Sequence, residues 1–138
     1  MNKKEIASVI LRLGVSFVFL TFGIWQLINP TSWIGYVPGY VYGLGISVSL
    51  VVILNGILDL LIGVSLVSGI YLRFFSVLGI LRLFLIIFSL GWNDVAVRDI
   101  GLAVALIAIY LNGEDGWCFN RWRNFQTEKN IFWEKKKK

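Results

Sequence analysis

The stretch "VVILNGILDLLIGVSLVSGIYLRF", residues 51–74, is apolar enough to enter a membrane, yet it carries Asp59 near its middle. How that carboxylate is accommodated decides the fold. A helix needs about 20 mainly apolar residues to cross a hydrocarbon core of ~30 Å. Four stretches come near that length, at about 6–28, 42–70, 72–91 and a shorter 95–111. The first lacks a small-residue cleavage site and exceeds a typical signal core, so it is read as an anchor. The expected fold is therefore all-α, a polytopic membrane protein with a four-transmembrane-helix bundle over residues 1–113. Residues 114–138 form a separate basic, aromatic tail.

Composition agrees with lipid rather than water. Of 138 residues, 57% are hydrophobic and the mean hydropathy is +0.76, above the roughly 45–50% apolar content of soluble domains. There is no histidine and one cysteine, Cys118. Imidazole-based metal, haem and general-base chemistry therefore lacks its usual ligand, no metal site is expected, and no internal disulfide can form. The formal charge of +5 lies mainly at the two ends, which suits anionic lipid headgroups and argues against nucleic acid.

The basic residues also give an orientation. Lys3 and Lys4 precede the first stretch and Arg121, Arg123, Lys129 and Lys135 to Lys138 follow the fourth, whereas 29–41 holds no basic residue. The positive-inside rule puts both termini in the cytoplasm of a multi-pass cell-membrane protein, and Arg73 at the second turn falls on the same side. The first loop, "NPTSWIGYVPGYVYG", is rich in aromatic rings and reads as an outer interfacial anchor or as a lid over a ligand cleft. The tail interleaves Trp and Phe with Arg and Lys. That is the pattern of a headgroup-level segment, with protein docking or a dilysine retrieval signal as alternatives. Cys118 reads as an inert thiol or a lipidation site.

Counting residues from the cytoplasmic ends puts Arg82, Asp59, Asp99 and Arg98 at similar depth, ~16 to ~21 Å. Isolated charges there would cost several kcal/mol each, so pairing inside the bundle is expected, with Asp59 joined to Arg82. The inward faces should be Arg12, Ser16, Phe19, Gly23 and Gln26 on the first helix and Val52, Asn55, Gly56, Asp59 and Gly63 on the second. On the third they are Phe75, Gly79, Arg82 and Ser89, and on the fourth Arg98, Gly101 and Ala105 with Asp99 nearby. Arg12, near the inner end, can snorkel. The candidate site is this charge cluster, Asp59, Arg82, Arg98 and Asp99, with Asn55, Gln26, Trp25 and Trp33. Its role is either ligand or proton handling or the holding of helices.

The order of three segments, "RLGVSFVFLTFGIWQLINPTSWIGYVPGY", "GILDLLIGVSLVSGIYLRF" and "VRDIGLAVALIAIYLNG", resembles the DoxX-like family of small four-helix integral membrane proteins. The acidic residue four before a glycine is matched by Asp59 and Gly63, the following turn by Gly69 and Arg73, and the "RD" of the fourth helix by Arg98 and Asp99. Many relatives have Glu at Asp59 and a basic residue near Gln26. The resemblance implies a membrane subunit of a redox complex that binds a quinone or another lipophilic ligand. Such a subunit is at most a quinone-linked oxidoreductase component that needs a soluble partner, because the chain has no redox motif of its own. Its cofactor would be a non-covalent quinone, its surroundings membrane lipids, and an oligomer is compatible. The rival readings are a non-catalytic scaffold or lipid-binding protein that recruits a cytoplasmic partner through its tail, and a small transporter.

Overall fold

The computed structural model describes residues 3–113, 117–119, 123 and 126–127. Most of the tail, including the closing lysines, lies outside the described residues. Within them the chain forms four α-helices, α1 (Lys3–Ile28), α2 (Val48–Ser68), α3 (Leu72–Leu90) and α4 (Asp94–Asn112), and no strand. Three of the helices, α1, α2 and α3, are long and apolar enough to cross a membrane. The fourth expected span, α4, is not among them and opens with three charges, Asp94, Arg98 and Asp99. Large apolar side chains point outward on every helix: Phe17 is 70% exposed, Phe88 82% and Leu111 74%. Water would penalise such a surface, whereas lipid tails do not.

Short turns at 69–71 and 91–93 join α2 to α3 and α3 to α4, whereas α1 and α2 are joined by the longer segment 29–47. α1 packs most closely on α2 and α3 on α4, with lesser contacts closing α2 on α3 and α1 on α4. The α1/α2 seam is narrow because glycines line it. A Cβ on Gly23 would stand 2.9 Å from the Gly56 carbonyl oxygen, and one on Gly63 2.7 Å from Leu20 Cγ. Small residues let the two backbones approach until side chains further along can bond across the seam.

The α1–α2 connection departs from expectation. The second helix was expected from about residue 42, but the backbone runs instead through two 3₁₀ segments, Pro30–Tyr36 and Gly39–Leu44, before α2 begins at Val48. Pro38 keeps Val37 extended (φ −81°, ψ 129°) and Gly45 is left-handed (φ +69°), so an α-helix cannot run through. Hydropathy alone could not see this, because "GYVYGLGI" is apolar throughout.

Away from that loop the bundle is solidly filled. Val15, Phe19, Ile62, Leu66, Leu72, Leu83, Ala103, Leu106 and Ile109 form one buried cluster, and Cys118 joins it. Cys118 is 1% exposed and sits against Gly69, where a Cβ would meet its Sγ at 2.6 Å. Arg12 does not snorkel: it is 2% exposed, and its Nη1 donates to the carbonyls of Leu66 (2.5 Å) and Val67 (2.9 Å). The last carbonyls of α2 lack helical partners and carry partial negative charge, so they hold a cation better than a short climb to water would.

The seam gives a direct test. Gly23→Ala should lower stability in detergent by about 1–3 kcal/mol through overpacking, whereas Gly14→Ala, with nothing within 4 Å of its Cβ, should leave it unchanged or slightly higher. Unfolding followed by circular dichroism compares them; equal stability for the two variants would mean that the seam is not close-packed.

Candidate functional site

Under the α1–α2 loop the bundle opens into a cavity of about 270 Å³. Its walls come from all four helices and the loop. Val18, Phe19, Val51, Val52, Leu83, Ile86 and Leu102 supply apolar surface, and Phe22, Trp33, Tyr36 and Pro38 close the loop side. Trp33 organises the aromatic part, with ring centroids 5.5 Å from Phe22 and 5.6 Å from Tyr36.

One polar wall is a closed network linking α1, α2 and α3. Arg82 donates through Nη1 to Asp59 Oδ1 and through Nη2 to Oδ2 at 2.8 Å, and its Nε donates to Asn55 Oδ1 at 3.0 Å. Asn55 Nδ2 then donates to Gln26 Oε1 at 2.7 Å, and Gln26 Nε2 donates to Asp59 Oδ2 at 2.8 Å. The helical spacing makes this ring feasible. Asn55 and Asp59 are four apart and stack on one face of α2, so one guanidinium fork reaches both. Asp59 and Gln26 are buried, at 2% and 5% exposure, so satisfying every carboxylate oxygen matters.

The other polar wall is α4. Arg98 Nε and Nη2 both reach Asp99 Oδ1, at 2.9 and 2.8 Å, and the guanidinium carbon lies 4.5 Å from the Phe22 ring centroid, within cation–π range. Asp99 is 1% exposed, and its second oxygen, Oδ2, has no hydrogen-bond partner among the described residues.

Of the eight residues singled out from sequence, seven line this cavity: Gln26, Trp33, Asn55, Asp59, Arg82, Arg98 and Asp99. Trp25 does not; it is 55% exposed and touches only the outside of the aromatic group, 6.0 Å from Trp33. The four charges form two ion pairs facing one space, with Asp59 held by Arg82 as expected. On α4 the buried face is Ala96, Asp99, Ala103, Leu106 and Ile109, not Arg98, Gly101 and Ala105: Gly101 is exposed and Arg98 bends back to its neighbour. On α3, Ser89 is exposed and Ser76 is buried in its stead, its hydroxyl bonded to the Leu72 carbonyl. Phe22 and Tyr36 were missed. Phe22 shows a weak signal, lying four residues before Gln26 and three after Phe19 on the inward face; Tyr36 shows no periodic signal, only its place in the aromatic loop whose lid reading would have included it. Among the described residues no group of three or more His, Cys, Asp or Glu is placed to hold a metal.

The network predicts strong non-additivity. Arg82→Leu should destabilise the folded protein by about 3–5 kcal/mol by stranding Asp59, and the double variant Asp59→Leu/Arg82→Leu should recover much of that loss. Denaturation of the single and double variants in mixed micelles measures it, and simple addition of the two single losses would show that the pair does not act as a unit.

Compared with protein-family models, curated proteins and solved structures, the chain matches none of them, so what the cavity holds has to be read from its own walls.

Proposed function

We propose that this chain is a DoxX-like, multi-pass cell-membrane protein in which α4 is the fourth span, both termini are cytoplasmic, and the cavity opens toward the outer leaflet to bind a quinone-type lipophilic ring. The observation that carries this reading is a cavity of about 270 Å³ with mostly apolar walls and a few convergent polar groups, the usual make-up of a small-molecule site. A dry cavity of ~150 Å³ accepts benzene, so this one has room for a substituted ring, with any isoprenoid tail passing out between helices. Phe22 and Trp33 line the cavity with aromatic surface, Arg98 is a donor for a ring carbonyl, and Asp99 Oδ2, without a partner among the described residues, is an acceptor for the hydroxyl of the reduced ring. Those residues fit such a group.

A bound quinone would supply reversible two-electron, two-proton chemistry. The chain's own share is to orient the ring, exclude water and hold the charged groups in place. Electrons would come from a soluble oxidoreductase partner, so the reading is of a redox-complex subunit and not of a complete enzyme. Intramembrane charges gathered at a cavity are a functional signature by default, and Arg98 at the cavity wall is well placed to donate to a carbonyl or anionic head.

The orientation rests on Lys3, Lys4 and Arg73 at one end and the absence of basic residues from 29–41 at the other. Thr31, exposed in the loop, is the residue to test. A Thr31→Cys protein in intact cells should react with a membrane-impermeant maleimide, while the wild type, with Cys118 buried, should not. Reaction only after permeabilisation would invert the topology.

Ligand binding is tested by mass spectrometry of organic extracts from protein purified in mild detergent. Wild type should carry a stoichiometric quinone-type lipid, and Val18→Trp, which fills the cavity while leaving the ion pairs intact, should lose it. Phospholipid alone in both samples would overturn the proposal in favour of a scaffold that recruits a partner through its tail.

A further inference from the structure

The two carboxylates of the cavity are treated differently. Asp59 has both oxygens engaged, by Arg82 and Gln26. Asp99 has Arg98 Nε and Nη2 on the same oxygen, Oδ1, and Oδ2 has no partner among the described residues although the residue is 1% exposed. A buried carboxylate oxygen is a strong acceptor, and leaving it unmade is unfavourable. Asp99 also lines the cavity. The group that completes this wall must therefore bring a hydrogen-bond donor.

Donors of two charge classes could do so, a neutral O–H or N–H and a cationic ammonium. The charge balance separates them. Asp59, Asp99, Arg82 and Arg98 already cancel around the cavity, so a cation would add an uncompensated charge in a low-dielectric space, whereas a hydroxyl adds none. The aromatic side chains of Phe22 and Trp33, which line the same cavity, favour a flat ring as the bearer. We infer that the cavity selects a neutral, hydroxyl-bearing ring whose O–H donates to Asp99 Oδ2, so that a hydroquinone is held in preference to the corresponding quinone. This rests on the ligand-binding reading above and adds to it a specificity-determining residue and an oxidation state. A quinone carbonyl at the same position would set acceptor against acceptor.

The test compares a decyl-substituted hydroquinone, its quinone and its dimethyl ether. Binding to the wild-type protein in nanodiscs under anaerobic conditions is followed by tryptophan fluorescence. The hydroquinone should bind roughly tenfold or more tightly than either of the others, the scale of a hydrogen bond to a charged acceptor. In Asp99→Asn, whose amide can turn either a donor or an acceptor to the ligand, the preference should collapse to within about threefold. Equal binding of all three probes to the wild type would overturn the inference while leaving a lipophilic site standing. If none of them binds, the inference falls together with the ligand reading. The wild-type ratio decides even where Asp99→Asn does not fold, and a decylamine probe that outcompetes the hydroquinone would point to the ammonium donor and overturn the choice of a hydroxyl.

Discussion

The fork of Arg82 on Asp59 is the constraint around which the rest of the molecule is arranged. A carboxylate buried at 2% exposure is tolerable only if both of its oxygens are engaged, and no single helix can do that. Arg82 comes from α3 and Gln26 from α1, while Asn55, one turn before Asp59, joins the two by accepting from one and donating to the other. The close approach of α1 and α2 at Gly23 and Gly56 is what brings Gln26 within reach. Packing and polar satisfaction are therefore one requirement. Widening the seam by a methyl group would loosen the network, and removing the network would leave a charge facing hydrocarbon.

The two ends of the bundle resolve their polar ends differently. At the end holding the α2–α3 turn, Arg12 satisfies the last carbonyls of α2, Cys118 fills the space over Gly69 and the Arg73 guanidinium lies against Gly113. That end is closed by side chains that belong to the fold. At the opposite end the α1–α2 loop arches over the helices as two 3₁₀ segments, and its aromatic rings cover a space without filling it. The two ends of one bundle are thus closed in different ways, one by side chains packed onto helix ends and the other by a loop over a cavity.

Much of this was readable from residue spacing. The inward face of α1, from Arg12 through Gln26, and that of α2, from Val52 through Gly63, follow from helical periodicity because polar and small residues stand out on an apolar background. The Asp59–Arg82 pair followed from depth and sign alone. The same reasoning failed where the signal is not periodic. The start of α2 depends on backbone torsions at Val37 and Gly45, and Tyr36 on a loop path. On α4, two adjacent charges left the face ambiguous by about 100°, and only packing chose Asp99 over Arg98. Arg12 was misjudged because counting to the nearest helix end ignores what another helix's end can offer.

Depth and residue type do not by themselves separate a structural charge from a functional one, and the two aspartates illustrate what does. Asp59 draws its partners from α1 and α3, so its charge is spent on joining helices. Among the described residues Asp99 bonds only its immediate neighbour on α4, and it reaches another helix only indirectly, through the Arg98 guanidinium over the Phe22 ring of α1. Its contribution to assembly is correspondingly small, while its burial and its orphan oxygen are unfavourable for the protein alone. The same residue type thus joins three helices from α2 but bonds only its neighbour on α4, and under the proposed reading it is the second that receives a ligand; the distinction is made by counting which helices supply the hydrogen bonds.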